Sequence, residues 1–168
     1  MLHELTQASL RELLLYDPMT GRFTWRVFRG GRLAGEDAGF ARRRRTCAYV
    51  IVKLNYYPCL AHRLAWLYMM GAWPPAQIDH IDGDGLNNRW ANLRLATISQ
   101  NLQNSRLHRD SNSGFKGVSY HKASGLWRSR IGVSGSTRSL GYFSTAKEAH
   151  VAYCAAAKDH FGEFARLK

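Results

Sequence analysis

The stretch IDHIDGDGLNNRWANLRLATISQN, residues 78–101, decides the reading of this chain. It opens on an acidic residue followed by an imidazole, Asp79-His80. Asp82-Gly83-Asp84-Gly85 and Asn87-Asn88 are turn formers that accept positive φ, so a hairpin or Ω-shaped loop is expected there. Asn92-Leu93-Arg94-Leu95 reads as a short returning strand. Thr97 can cap a helix with Gln100 at its third position, a capping-box pairing that puts Asn101 early in that helix. The expected order is strand, loop, strand, helix.

Hydrolysis of a nucleic-acid phosphodiester needs a base for water, a divalent cation on the phosphate and a frame that fixes both. His80 suits the base, since an unperturbed imidazole titrates near pH ~6.5. Asp79 offers hard anionic oxygen to a Mg-like ion and Asn101 a neutral carbonyl oxygen. Neighbouring side chains on a regular strand point to opposite faces, so Asp79 and His80 converge on one phosphate only where the backbone is irregular. They are therefore expected at a strand end. Singly, each residue also has a plain structural reading, as a surface pair, a turn asparagine or a solvated helix start. A calcium-loop reading fails: in the frame of Asp82, Asp84 and Gly85 the first position is His80 and the last Ala91, where such a loop needs Asp and Glu.

Asp79-His80, Asn92 and Asn101 fall at the motif positions of the His-Asn-His (HNH) endonucleases, which the segment resembles, with Asn in place of the final His. The resemblance implies an α+β chain with a ββα-metal (His-Me finger) nuclease core. It implies His80 as the base, Asp79 and Asn101 as ligands of one Mg²⁺ or Mn²⁺ per active site, and Asn92 as the residue that braces the loop and orients His80. It also implies 5′-phosphate and 3′-hydroxyl product ends. Asn104, one helical turn beyond Asn101, competes for the second ligand position.

Charge narrows the partners. Lys and Arg number 24 against 12 Asp and Glu in 168 residues, with a pI near 10.1, which favours a polyanion. Divided after Asp110, each part is net +6, so both are drawn to phosphate. Cys47, Cys59 and Cys154 show no C-x-x-C spacing, so neither a zinc knuckle nor a disulfide framework is implied. No apolar run is long enough for a membrane span, and Glu4 and Glu12 argue against a secretion signal. A soluble cytoplasmic protein, phage- or prophage-encoded, is expected, with double-stranded DNA as partner and neither a membrane nor a small-molecule cofactor.

Outward from the core motif, residues 5–15 have helical spacing at Leu10, Leu13 and Leu14, with Ser9 as a possible cap. Arg22 to Val27 alternates apolar and basic residues as a strand with one wet face. Residues 29–46 read as a basic loop centred on Arg42, Arg43, Arg44 and Arg45. Four adjacent arginines repel one another unless something anionic neutralises them, so phosphate contact is the functional reading and a solubilising loop the structural one. Residues 49–54 and 57–61 are β-rich. A helix over 62–70 ends at Gly71, with Leu64, Leu67 and Tyr68 facing the core and His62 either at the active site or in a structural hydrogen bond.

Ser/Asn/Gly enrichment after Asn101 marks a linker, and a second module is expected from Gly114. It should contain strands near 115–121, 126–133 and 137–143 and a helix near 145–161 capped by Thr145 and Glu148. Trp127, Ser129, Ile131 and Val133 should share one sheet face and Arg128 and Arg130 the other, with a helix stripe of Ala149, Ala152, Tyr153, Ala156 and His160. Lys116-Gly117-Val118, Trp127 to Ile131 and Leu140 to Phe143 resemble the AP-two (ethylene-response-factor) DNA-binding domain. That resemblance implies a three-stranded antiparallel sheet packed on one helix, with Lys116, Arg128, Arg130 and Arg138 as DNA contacts. Ser119 and Ser139 depart from its sheet-face pattern.

The expected domains are 1–46 (helix, strand and basic loop), 47–110 (nuclease core) and 111–168 (recognition module). The expected function is metal-dependent DNA cleavage of phage or homing type, nicking unless the protein dimerises. The competing reading is a non-catalytic DNA-binding regulator on a degenerate nuclease scaffold. An RNA-binding module is disfavoured, because the sheet face lacks an exposed aromatic pair for stacking bases.

Overall fold

A computed structural model describes residues 5–43, 45, 47–105, 107 and 111–167. The chain divides into two compact units, Met1–Ile98 and Ser99–Lys168. No helix among the described residues is long and apolar enough to cross a membrane.

The first unit opens with helix α1 (Gln7–Leu13), capped by Thr6, whose hydroxyl accepts from the Ser9 amide while Ser9 returns a bond to Thr6. Ser9 is thus the partner of the cap rather than the cap. The chain turns directly into strand β1 (Leu14–Asp17), because Leu14 and Tyr16 alternate inward and pair with β2 (Arg22–Trp25). The helix expected to reach residue 15 therefore stops at Leu13.

Strands β3 (Gly39–Arg43), β4 (Ala48–Leu54) and β5 (Tyr57–Leu60) form an antiparallel sheet in the order β3-β4-β5. The basic stretch expected as loop thus carries a strand. Gly39, Phe40 and Ala41 lie opposite Val52, Ile51 and Val50, and this ladder carries Arg42 and Arg43 along its exposed continuation. Helix α2 (Ala61–Met70) buries Ala61, Leu64 and Ala65, an i, i+3, i+4 stripe, and ends at Gly71. Strands β6 (Gln77–His80) and β7 (Leu93–Ala96) pair antiparallel, and helix α3 (Ile98–Gln103) follows across the division between the units.

One apolar core holds this unit together. Leu10, Leu14, Phe23 and Trp25 from the N-terminal elements pack with Val52, Leu54, Leu64, Leu67, Ile78 and Leu93. The expected boundary at 46/47 does not separate two cores, because α1 and the β1–β2 hairpin are too small to bury their apolar faces alone.

The second unit has the antiparallel sheet β10-β9-β8, made of β8 (Val118–His121), β9 (Leu126–Val133) and β10 (Ser136–Phe143). Helix α4 (Ala146–Phe161) starts at a reciprocal Thr145/Glu148 capping box. It buries Ala149, Tyr153 and Ala157, and Tyr153 and Ala157 cluster with Ile131. The stripe follows a strict i+4 row, so Ala157 takes the place expected for Ala156, and His160 is exposed. Ser129 and Ile131 point inward from β9 as read from the sequence.

Candidate active site

In the β6–β7 ladder Asp79 stands opposite Arg94 and His80 opposite Leu93. Both close β6, the strand end expected for them, and the Asp79 charge acts on His80 and on Tyr49. Asp79 meets Arg94: both Nε and Nη2 of the guanidinium lie 2.9 Å from Asp79 Oδ2, with side-chain exposures of 13% for Arg94 and 4% for Asp79.

His80 is buried, and its Nε2 lies 3.2 Å from Asn88 Oδ1. The Asn88 amide donates through Nδ2 to the Leu86 carbonyl at 3.2 Å, which fixes Oδ1 as the atom facing the imidazole. The hydrogen-bond network thus assigns the proton to Nε2 and the lone pair to Nδ1. Burial lowers the His80 pKa, opposed by the Asn88 bond and by the charges of Asp82, Asp79 and Asp84. The ring is a neutral imidazole at neutral pH.

His62, on the first turn of α2, is edge-to-face with His80 at 5.0 Å between ring centroids. Burial first, then the neighbouring His80 and Arg63, pull its pKa down to about 3. Of the two roles left open for His62, the fold puts it beside His80. Tyr49 closes the group, 5.7 Å from His62 and 6.2 Å from His80 by ring centroids.

The loop between β6 and β7 is held from within by Asp82. Its Oδ1 accepts from the Asp84 amide and from Asn92 Nδ2, and its Oδ2 accepts from Asn87 Nδ2. Burial alone raises this carboxyl, but those donors hold it below its ordinary pKa. Asn92 also accepts from the Asp82 amide and donates to the Asn87 carbonyl. Asn92 therefore spends its amide on the loop, and Asn88 is the residue on Nε2 of His80. Asn92 was expected to brace the loop and orient His80; its side chain bonds within the loop, and the side chain on Nε2 is that of Asn88.

From outside, the β1–β2 hairpin braces the same loop. The Tyr16 hydroxyl donates to the Asn88 carbonyl at 2.7 Å, the Trp90 amide to the Pro18 carbonyl at 2.9 Å, and Arg89 Nε to the Met19 carbonyl at 3.0 Å. Gly21 has φ +75°, and a Cβ there would stand 2.3 Å from the Asn88 carbonyl carbon, so only glycine allows this approach. On the other flank a Cβ at Gly85 would meet the Ala48 carbonyl oxygen at 2.2 Å and the Tyr49 ring at 2.6 Å.

Asn101 lies on α3, in the second unit, and the buried Asn104 follows just past its end. Among the described residues no group of three or more His, Cys, Asp or Glu side chains is placed to hold a metal ion. Asp79 nonetheless supplies anionic carboxylate oxygen, the donor type that a hard cation takes, with Arg94 as the positive group now on it.

Of the basic residues singled out, Arg42, Arg43 and Arg45 are exposed in the first unit, and Arg44 lies outside the described residues. In the second unit Arg128 faces Ser119 and Tyr142, and Arg130 faces Ser139, on the sheet side away from Ile131. Arg138 pairs with Ile131 and so belongs to the other face, although exposed. Lys116 is turned inward: its ammonium donates to the carbonyls of Gln103 and Ser105, and burial lowers its pKa to about 8. The Arg face also carries a T-shaped His121–Tyr142 pair at 5.1 Å, with Tyr142 47% exposed, which the sequence reading had not placed there. It arises because the register shift between Ser139 and Gly141 turns Tyr142 onto the arginine side.

Residues 59–103 match the model of the HNH endonuclease family. The matched segment runs from β5 through α2 and the β6–β7 hairpin to the end of α3, and contains His62, Asp79, His80, Asn88, Asn92, Arg94 and Asn101. The matched segment is similar to HNH endonuclease domains, and the chain has viral relatives. Protein 3.8 of Escherichia phage T7 is 37% identical over 75 residues, 44% of this chain and 62% of that protein. The uncharacterized HNH endonuclease L560 of Acanthamoeba polyphaga mimivirus is 33% identical over 106 residues, 62% of this chain and 54% of that protein. The chain spans less than two thirds of the length of either relative. No solved structure matches it.

Proposed function

We propose that the protein is a divalent-metal-dependent DNA endonuclease with a ββα-metal core, and that residues 111–168 form an AP-two-like DNA-recognition module. The observation that carries the reading is the neutral, buried His80, pinned through Nε2 by Asn88 inside the segment that matches the HNH family. An imidazole so held offers the Nδ1 lone pair to a water proton without first losing one of its own.

In the reaction, His80 Nδ1 takes a proton from water, the oxygen bonds to phosphorus, and the bond from phosphorus to the 3′-oxygen breaks. The products are a 5′-phosphate and a 3′-hydroxyl, the latter protonated by solvent. Asp79 and Asn101 are the residues that would hold the Mg²⁺ or Mn²⁺. When bound, such an ion supplies positive charge to the phosphate oxygens and the departing oxygen. Asn88 keeps His80 in one tautomer, and Asn92 and Asp82 keep the loop that carries Asn88. Arg42, Arg43 and Arg45 in the first unit, and Arg128 and Arg130 on the open sheet face of the second, contribute phosphate attraction, with Arg138 at the sheet margin.

The test is supercoiled plasmid incubated with the full chain and Mg²⁺ or Mn²⁺. Nicking or linearisation that chelator and His80→Ala both abolish is the expected result. Salt-sensitive DNA binding with no cleavage under any metal would overturn it in favour of a DNA-binding regulator.

A further inference from the structure

We propose that Arg94 is the resident counter-ion of the metal-binding carboxylate, holding Asp79 until a divalent cation takes its place. The inference rests on the reading of Asp79 as a metal ligand. Its basis is the cross-strand pair itself. Arg94 and Asp79 are directly opposed in the β6–β7 ladder, and two guanidinium nitrogens converge at 2.9 Å on the same oxygen, Oδ2. This is not the side-on fork in which a guanidinium takes both carboxylate oxygens. It puts a full positive charge on the carboxylate that a hard cation would take.

Both partners are largely withdrawn from water, and burying either charge without the other beside it is costly. Nearby acidic groups are otherwise committed: Asp82 accepts three loop donors and Asp84 accepts from the Leu86 amide. A guanidinium and a divalent ion on one carboxylate repel each other, so the two hold Asp79 in turn. The apparent metal affinity is then the intrinsic affinity reduced by the fraction of molecules in which Arg94 has let go. Substrate-free protein would bind metal weakly, and Arg94 would set how weakly.

Mn²⁺ binding to the full-length wild type, Arg94→Gln and Asp79→Asn, followed by titration calorimetry or by the electron paramagnetic resonance of free Mn²⁺, separates the outcomes. The expected result is affinity tighter by on the order of tenfold in Arg94→Gln and lost in Asp79→Asn. Equal or weaker binding by Arg94→Gln, with binding lost in Asp79→Asn, overturns the exchange and leaves Asp79 as a ligand. Undiminished binding by Asp79→Asn overturns both the exchange and Asp79 as a ligand, and no binding by either wild type or Arg94→Gln overturns the exchange. Should Arg94→Gln fail to fold, the wild type decides by nuclear magnetic resonance of the Arg94 Nε–H. That signal should be protected in chelator and lose protection as Mg²⁺ saturates, and a signal unchanged at saturation overturns the proposal.

Discussion

His80 Nε2 and Asn88 Oδ1 meet at 3.2 Å, and the Asn88 amide is itself anchored on the Leu86 carbonyl. Two residues eight apart in sequence thereby fix which nitrogen of a buried imidazole carries its proton. The loop that brings them together is held by Asp82 and Asn92 from inside and by the β1–β2 hairpin from outside.

Asn88→Ala should release the tautomer and lower the plasmid-nicking rate by about 10- to 100-fold, the range in which an outer hydrogen-bond partner of a functional histidine acts. Long-range ¹H–¹⁵N correlation spectra should show the His80 ring as a single Nε2–H tautomer in the wild type and a mixture in the variant. A variant with an unmixed ring and an unchanged rate would contradict the role given to Asn88.

His62 makes stability depend on acid. Its folded pKa, about 3, lies below the ordinary histidine value, so the folded protein keeps this ring neutral while the unfolded chain takes up a proton below pH ~6.5. This contribution is fully present above that pH and is lost as pH falls toward the folded value. The slope is about 1.4 kcal/mol per pH unit for one such proton. Urea midpoints between pH 7 and pH 4 should fall in the wild type and fall less steeply in His62→Gln.

Gly85→Ala should displace the β6–β7 loop from β4, because the added methyl meets the Ala48 carbonyl and the Tyr49 ring. Overpacking of this kind costs about 1–3 kcal/mol. Urea unfolding should report that loss, and nicking should fall with it. A variant of wild-type stability and activity would mean that the loop does not pack on β4 in solution.

Lys116 and Arg130 should separate under salt titration of DNA binding. Arg130→Ala removes an exposed charge and should flatten the slope of log affinity against log salt by about one. Lys116→Met should leave that slope nearly unchanged and lower the melting temperature, since it removes the donor to the Gln103 and Ser105 carbonyls. The opposite pattern would return Lys116 to the DNA-contacting set.

Much of the architecture was legible in residue order. Local signals carried it: the Gly/Asn/Asp loop between β6 and β7, the α2 stop at Gly71, the capping box of Thr145 and Glu148, and the alternation that sends Ser129 and Ile131 inward. Each depends on neighbours within a few positions, where backbone preference and side-chain period dominate. Where such signals were weaker, tertiary packing won. β3 formed from a basic stretch because β4 offered a ladder, and α1 ended early because Leu14 and Tyr16 found a strand partner.

By itself, then, the sequence determined the strand–loop–strand–helix order of residues 77–103 and the segment that holds Asp79, His80, Asn92 and Asn101. Only the tertiary structure decided which groups meet. It put Asn88 rather than Asn92 on His80, His62 and Tyr49 beside that ring, Arg94 on Asp79, and Lys116 inside its unit. A motif records residues and spacings along one chain, whereas a hydrogen bond or ion pair forms wherever register and packing bring two atoms within about 3 Å. Arg94 could have been flagged from the motif, but that it faces Asp79 follows from the one-residue register of an antiparallel ladder, which no local signal fixes.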